Sequence, residues 1–255
     1  METDQGELTA ARLLLAIGRS ALHWPEWAAD GRAAGAAIQH IFAPDFSLDG
    51  LPDWNELVVV GGGITAAQVA LRLAERWPGT VTILSRHPIR EEQFDSKPGW
   101  LGPRYQNGFR PTPDYEQRRR MIRAARLRGS MPPDTTRQLR RAVEEARLYF
   151  VEAEVTAVAP LLDGRTELIC RRGERLTADQ TILATGFDPA RPGGAWLADS
   201  IAANELPCAP CGYPIVDRLL CWRPGLYVNG PLAELEIGPI APNISGARQA
   251  AYRFG

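Results

Sequence analysis

Three consecutive glycines, Gly61-Gly62-Gly63, stand between a run of β-branched residues and a helix-forming segment. With Ala66 they fit G-x-G-x-x-A. Gly61 allows a tight turn, Gly63 lets the backbone approach a pyrophosphate, and small Ala66 lets helix and strand pack closely. Gly62, Ile64 and Thr65 complete the turn and open a helix whose N-terminus faces the phosphates. The competing reading is a glycine-rich strand–helix turn with no ligand. The strand–turn–helix–strand context weighs against it, because a lone glycine fingerprint is weak and context makes it informative. Some twenty residues on, an NAD site usually carries Asp or Glu for the ribose 2′-hydroxyl. Here the sequence reads Leu84-Ser85-Arg86-His87. The planar fork of Arg86 suits a 2′-phosphate, and Ser85 adds a hydroxyl donor. The ligand expected from these residues is therefore NADPH, with Arg86 as an ordinary surface cation the alternative.

Two strands and a helix must position those residues. Val58–Val60 reads as a buried strand. Val69 to Arg76 continues the helix with its apolar residues on one face, Pro78-Gly79 stops it, and Val81–Leu84 is the second strand. Upstream, residues 9–18 read as a strand ending at Gly18. A loop over Ser20–Trp27, an alanine-rich helix to about Ala37 and a short strand at Ile38–Phe42 follow. Asp49–Asp53 is a turn. Downstream, Pro88–Pro113 reads as a long loop rich in Pro, Gly and aromatics, and loops of that length are often functional. Asp114 caps a helix to about Leu127. Pro132-Pro133-Asp134 opens another, Thr135–Arg147. Short β runs stand at Leu148–Val151, Val155–Val158 and Glu167–Cys170. Thr181 to Phe187 is a second strand ending in glycine, through Ala184-Thr185-Gly186. Residues 188–224 read as a proline-bearing stretch, Leu226–Asn229 as a last strand, and Ile244–Tyr252 as a final helix.

Composition narrows the field. The chain has 255 residues, 45% hydrophobic and 23% charged, an ordinary soluble globular balance. Its formal net charge of -1 sets up no field for nucleic acid or an anionic membrane. The acidic start Met1-Glu2-Thr3-Asp4 is not that of a signal peptide, and Leu13–Ile17 is too short to span a bilayer. A cytoplasmic location is expected. Four cysteines in this length make no secreted disulfide framework. Cys208-Ala209-Pro210-Cys211 is C-x-x-C, and its readings are a redox dithiol, a zinc site or reduced loop cysteines. The basic run Arg118, Arg119, Arg120, Arg123, Arg126 and Arg128 contains no acid. It reads first as a solvated face, otherwise as a surface for a partner, an acidic substrate or phosphates. No H-E-x-x-H, P-loop or G-x-S-x-G is present, so nothing supports hydrolysis or phosphoryl transfer. No metal ligands and no catalytic acid or base are identified.

Three landmarks stand in order: Leu15-Ala16-Ile17-Gly18, the glycine unit, and Leu183-Ala184-Thr185-Gly186-Phe187. The order resembles that of flavoproteins with two dinucleotide-binding domains, an NADPH domain being inserted into an FAD domain. Phe94–Arg104 and Arg126–Pro132 resemble the NADPH domain of lysine/ornithine N-hydroxylase-like proteins. Gly225–Pro231 and Gly238–Arg248 resemble their last FAD-side strand and helix. The resemblance implies an oxidoreductase of the monooxygenase type, in which NADPH reduces FAD and the reduced flavin uses O₂ to oxygenate a nucleophilic small-molecule substrate. It departs from the pattern twice. Such proteins begin with an FAD-binding strand–G-x-G-x-x-G–helix, and none stands ahead of Leu13. Many carry Gly-Asp where this chain has Asn229-Gly230.

The expected fold is therefore α/β, a Rossmann-like parallel sheet with an incomplete FAD-type half formed by the two termini. The expected divisions are 1–50, a partial FAD-type segment, 51–187, an NAD(P)-binding domain, and 188–255, a C-terminal FAD-type segment. Gly61, Gly62, Gly63, Ile64, Thr65, Ala66, Ser85 and Arg86 are the expected NADPH residues. By the resemblance, Gly18, Thr185, Gly186, Gly230 and Asn243 line the cofactors, and Lys97 approaches the nicotinamide or flavin edge. The incomplete half implies a complementing FAD-binding chain or a homo-oligomer, and weak FAD binding by this chain alone. The alternative is a non-catalytic or partner-dependent NADP-binding module.

Overall fold

A computed structural model describes residues 2–3, 6–7, 9–48, 54–76 and 78–254. The turn expected at Asp49–Asp53 lies outside the described residues. The chain divides into two compact units. One comprises Leu22–Asp95 and Leu127–Asp188; the other comprises Met1–Ala21, Ser96–Arg126 and Pro189–Gly255.

The unit built on Leu22–Asp95 and Leu127–Asp188 is organised around the strand Glu56–Val60. Period-2 alternation sends its side chains to opposite faces, and both faces are covered. Leu57 and Val59 pack with Ala66, Ala70 and Leu73 of the helix Ile64–Arg76. Val58 packs with Leu84, Val155 and Leu168 on the other side. Continuous β-branched sequence at the strand's end is the signature of such two-sided burial in a parallel sheet. The sheet has five strands in the order Ile38–His40, Gln180–Leu183, Glu56–Val60, Thr80–Ser85, Tyr149–Glu152, and every neighbouring pair is parallel. The helices Ile64–Arg76 and Pro133–Glu144 contribute to the core on one face. A three-stranded antiparallel sheet, Val155–Pro160, Thr166–Cys170 and Arg175–Ala178, contributes to the core on the other. This is the α/β class with a Rossmann-like parallel sheet expected from the sequence. Gly79 brings the second strand in: a Cβ there would lie 2.6 Å from the Asn55 carbonyl oxygen.

In the other unit the strand Leu13–Leu15 pairs in parallel with Leu226–Val228, which pairs antiparallel with Cys221–Arg223. The core is aromatic and aliphatic, with Trp100, Phe109, Tyr213, Trp222, Leu232 and Ile237 all buried. Asp114 caps the helix Tyr115–Ala125 by accepting a hydrogen bond from the Glu116 N–H at 2.8 Å, the arrangement expected of a short acid at that position.

Several elements differ from the sequence expectation. The strand expected over residues 9–18 covers only Leu13–Leu15, and a short antiparallel pair, Glu2–Thr3 with Gly6–Glu7, precedes it. The segment Pro88–Pro113 is not an irregular loop: it holds a short strand at Arg90–Glu91, a 3-10 turn at Pro98–Leu101 and the helix Pro103–Phe109. Pro98 and Pro103 each open an element, where a missing N–H costs nothing. A helix also forms at Gly194–Ala203, within the proline-bearing stretch 188–224, where none was expected. The units divide the chain differently from the expected boundaries. Residues 22–48 fall with the glycine-turn unit because Ile38–His40 is an edge strand of its sheet. Residues 96–126 fall with the terminal segments because Trp100, Phe109 and Ile122 complete that core.

Candidate functional site

The glycine turn joins the end of Glu56–Val60 to the start of Ile64–Arg76, and its three glycines have three different reasons. Gly61 has φ +156°, donates its N–H to the Leu84 carbonyl at 3.0 Å, and a Cβ on it would lie 2.6 Å from the Ala184 carbonyl oxygen. Its absence of side chain is demanded by the fold. The same Cβ would stand 3.2 Å from that of Ala66, the small residue of the fingerprint. A Cβ on Gly62 would lie 2.5 Å from both Ser85 Oγ and His87 Cε1. Gly63 is different: a Cβ there would make only ordinary contact, 3.6 Å from Gly129 Cα and 3.8 Å from the Ser130 carbonyl oxygen. The protein's own packing does not require glycine at 63. The first helical bond is Ala67 N–H to Gly63 C=O at 3.2 Å, and the N–H groups ahead of it belong to the orphan donors every helix start carries. The fit to a dinucleotide phosphate rests on these two features, an open glycine and a helix N-terminus directly behind it.

The second strand ends beside the turn. Ser85 is buried, and its hydroxyl donates to the His87 carbonyl at 2.8 Å while accepting from the His87 N–H at 3.4 Å. Expected as a phosphate donor, it is committed to shaping the bend that presents Arg86. Arg86 is exposed. His87, not singled out as a site residue from the sequence, places its ring between two glycines. Its Nδ1 is 2.9 Å from the Pro88 carbonyl oxygen, and a Cβ on Gly129, at φ +71°, would meet Nε2 at 2.3 Å. The segment around Gly129 and Ser130 thus borders the glycine turn. It is held by Ser130 Oγ donating to the Leu127 carbonyl at 2.6 Å and by the parallel pairing of Ser130–Met131 with Arg90–Glu91.

On the other flank of the central strand, Thr185 and Gly186 follow Gln180–Leu183. The Thr185 hydroxyl donates to the His23 carbonyl at 2.5 Å and faces His40 Nε2 at 3.3 Å. His40 is fully buried and its Nδ1 accepts from the Phe42 N–H at 3.2 Å, which assigns the ring proton to Nε2. Burial lowers His40 below the ordinary imidazole range; a backbone bond to Gly186 opposes this and His23 adds to it. Gly186, at φ +76°, uses a conformation that glycine adopts freely. Phe42 and Phe187 stack beside this network, ring centroids 5.0 Å apart, both partly exposed.

Gly61, Gly62, Gly63, Ile64, Thr65, Ala66, Ser85, Arg86, Thr185 and Gly186 are thus gathered at the carboxyl ends of three adjacent strands of one sheet. Ligands bind open α/β sheets at that edge. Gly18, Lys97, Gly230 and Asn243 belong to the other unit. There, Gly18 and Gly230 follow two strands paired in parallel, and Asn229 N–H bonds the Leu15 carbonyl at 2.9 Å. Gly18 has nothing within 4 Å of a Cβ position, and Gly230 has φ +62°. Lys97 is exposed and precedes the 3-10 turn Pro98–Leu101. Asn243 Oδ1 accepts from the Gly246 N–H at 3.0 Å, tying down the start of the last helix. Asn229 Oδ1 turns back onto the Gly230 N–H at 2.6 Å.

The basic run is a solvated face only in part: Arg120, Arg123 and Arg128 are exposed, whereas Arg118, Arg119 and Arg126 turn inward to carboxylates. Arg119 is buried, and it pairs with Glu234, whose side chain is fully buried. Arg126 reaches the same carboxylate at 2.6 Å and Arg19 at 3.5 Å. Burial works against the charge on Arg119, and Glu234 and Tyr213 together more than restore it; its guanidinium lies 4.1 Å from the Tyr213 ring centroid. Arg118 pairs with Glu236 at 3.2 Å. A buried charge survives only when paired and hydrogen-bonded, and the partners lie more than a hundred residues away in sequence. The cysteines are free. Burial pushes the Cys208 thiol up, Arg191 pulls it down and Cys211 adds to the rise, the opposite of an activated dithiol. Among the described residues no group of three His, Cys, Asp or Glu is placed to hold a metal ion, and no helix is long and apolar enough to cross a membrane.

No family model and no curated protein matches the chain. Solved structures do. L-lysine 6-monooxygenase from Pseudomonas syringae matches over 100% of this chain and 67% of its own, with TM-score 0.70 and 21% identity. The ornithine N-hydroxylase of Kutzneria sp. 744, solved with reduced FAD, NADP+ and L-ornithine, matches over 95% of this chain and 61% of its own, with TM-score 0.65 and 20% identity. The flavoprotein disulfide reductase RclA from Escherichia coli matches over 99% and 46%, with TM-score 0.57 and 16% identity. The chain thus spans about three fifths to two thirds of the two hydroxylases it matches. It has the Rossmann-like fold of the lysine and ornithine N-hydroxylases, the flavoprotein group its motifs resemble.

Proposed function

We propose that the glycine-turn unit binds NADPH and that the chain serves an FAD-dependent oxidoreductase of the N-hydroxylase-like monooxygenase type, acting on a small-molecule substrate. The observation that carries the reading is Gly63. It is open to the helix N-terminus and not required by the protein's packing, with Arg86 exposed at the end of the next strand. In this reading the backbone of Gly62 to Thr65 holds the pyrophosphate, Gly61 and Ala66 close the turn, and Arg86 takes the 2′-phosphate. Thr185 and Gly186 border the same edge. In the other unit Gly18, Gly230, Asn243 and Lys97 stand on the flavin side. When bound, FAD would accept the hydride of the nicotinamide; the chain's task is to hold and shield the two rings.

Calorimetric titration with NADPH and NADH tests the cofactor. NADPH binds more tightly, and Arg86→Ala removes most of the preference. A hydrogen bond to a charged group contributes about 1.5–3 kcal/mol, so the loss is about 10- to 150-fold at 1.4 kcal/mol per decade. Equal affinities in the unaltered protein defeat the assignment.

A second reading is a partner-dependent NADP-binding module that holds flavin weakly or only with a complementing chain or second copy. Asn229 favours it. The resemblance places Gly-Asp at Asn229-Gly230, with the acid near the ribityl chain, whereas here position 230 has no side chain and the neutral Asn229 is bonded to its own turn. The visible spectrum after FAD addition and gel filtration separates the two: a yellow protein with one FAD per chain supports the oxidoreductase, a colourless one the module.

A further inference from the structure

The half-buried imidazole of His87 lies against the glycine turn, and two glycines make room for it. A Cβ on Gly62 would lie 2.5 Å from Cε1 and 2.9 Å from Nε2, and a Cβ on Gly129 would strike the same two ring atoms. On the other side of Cε1, Nδ1 is 2.9 Å from the Pro88 carbonyl oxygen. A carbonyl only accepts, so Nδ1 carries the ring proton and the neutral ring presents Nε2 as a bare lone pair. Among the described residues Nε2 has no hydrogen-bond partner; the bonds of this residue run through its backbone and Nδ1. Gly129 is also what the open glycine looks onto: its Cα is 3.6 Å from the Cβ position of Gly63. The ring edge and the helix start therefore border one space. The charged residues next to it are cations. Arg86 and Arg90 stand on the ring's own segment and Arg128 beside Gly129, with Arg90 Nη1 donating to the Arg128 carbonyl at 3.4 Å. The first carboxylate along either segment is Glu91, exposed and beyond Arg90, and Gly61 to Thr65 bring no charged side chain.

We propose that His87 holds the pyrophosphate of a dinucleotide bound at this turn as an imidazolium, so that binding takes up one proton. The inference rests on the reading of the turn given above. The proton comes from solvent and adds to the Nε2 lone pair. Nδ1–H stays on the Pro88 carbonyl, and Nε2–H becomes a charged donor beside the backbone N–H groups of Gly62 to Thr65. A neutral ring would set its lone pair against a phosphate oxygen instead. Histidine is the side chain whose charge changes near neutral pH, and a hydrogen bond from an ionised donor to phosphate is about twice as strong as a neutral one. The role is distinct from that of Arg86: it concerns the pyrophosphate, which NADH and NADPH share, and not the 2′-phosphate.

The test is calorimetric titration of the full chain with NADPH and with NADH across neutral pH, in two buffers of different ionisation enthalpy, which together give the affinity and the protons taken up. The 2′-phosphate of NADPH itself titrates near pH ~6, so the quantity read is the difference between the unaltered protein and His87→Gln. In the unaltered protein the affinity for either nucleotide falls with rising pH, by at most about tenfold per pH unit, with uptake approaching one proton. His87→Gln removes that slope and that uptake for both nucleotides and weakens binding at low pH by about tenfold or more. The unaltered protein gives a second reading without a variant. The chain has three histidines, and one imidazole proton signal must move its titration to higher pH when nucleotide is bound; no movement of any of the three overturns the proposal. A difference confined to NADPH assigns the ring to the 2′-phosphate and overturns it as well. If His87→Gln changes neither slope nor uptake while Arg86→Ala still removes the preference for NADPH, this inference fails and the proposed cofactor stands. If the unaltered protein binds neither nucleotide, both fail together.

Discussion

Replacing each glycine of the turn by alanine separates what the fold needs from what a ligand needs. At Gly61 the new Cβ lies 2.6 Å from a backbone oxygen at φ +156°. Neither can yield cheaply, and strain of this kind costs about 1–3 kcal/mol. At Gly62 the Cβ meets Ser85 Oγ and His87 Cε1 at 2.5 Å, so the imidazole must leave its slot. At Gly63 the nearest atom is 3.6 Å away. Gly63→Ala is therefore accommodated, and the loss of chain entropy in the unfolded state makes it neutral to stabilising by about 0.4–1 kcal/mol. Its cost falls on the ligand. A methyl group in front of the helix N-terminus pushes the pyrophosphate off one or two backbone donors, each contributing about 1.5–3 kcal/mol to a charged group. One such bond is about 10- to 150-fold in affinity. Urea denaturation gives the stability order Gly63→Ala at or above the unaltered protein, with Gly61→Ala below it. Titration with NADPH gives the binding loss at Gly63→Ala. A well-folded Gly63→Ala protein that binds normally would falsify the ligand reading of the turn.

Two further outcomes follow from buried polar groups. Glu234→Gln leaves Arg19, Arg119 and Arg126 without their shared carboxylate and destabilises the unit containing them by about 3–5 kcal/mol, the cost of breaking a buried ion pair by removing one partner; a loss under about 1 kcal/mol in urea denaturation contradicts the pairing. His40 has a lowered pKa in the folded state, so the unfolded chain takes up its proton first. Its contribution to stability is complete above the ordinary imidazole pKa of about 6.5 and is lost as pH falls from there through the folded value, by at most about 1.4 kcal/mol per pH unit. His40→Gln flattens that part of the stability–pH curve, and an unchanged slope removes His40 as its source.

The glycine turn and its flanking elements were legible in the sequence because everything that specifies them is local. A β-branched run, a glycine at a conformation other residues avoid, and apolar residues spaced around one helix face are all written within thirty residues. The same holds for the parallel sheet class and for the cap at Asp114. Pro98 and Pro103 show where local reading gives two answers. Proline ends one element or begins the next, and only Trp100 and Phe109 packing into a core decides which. The arginine run shows the stronger limit. Six basic residues without an acid resemble a solvated face, because the carboxylates that neutralise Arg118, Arg119 and Arg126 lie at Glu234 and Glu236. No period or spacing links positions that far apart. Likewise Glu154 and Arg171 meet across two strands, and His87 finds its slot because Gly129 arrives from another segment. The sequence by itself determined the glycine turn and the class of sheet that holds it. Tertiary structure decided which charges are buried, which hydroxyls are already committed and which ring fills the space between Gly62 and Gly129, because those depend on contacts between residues that folding alone brings together.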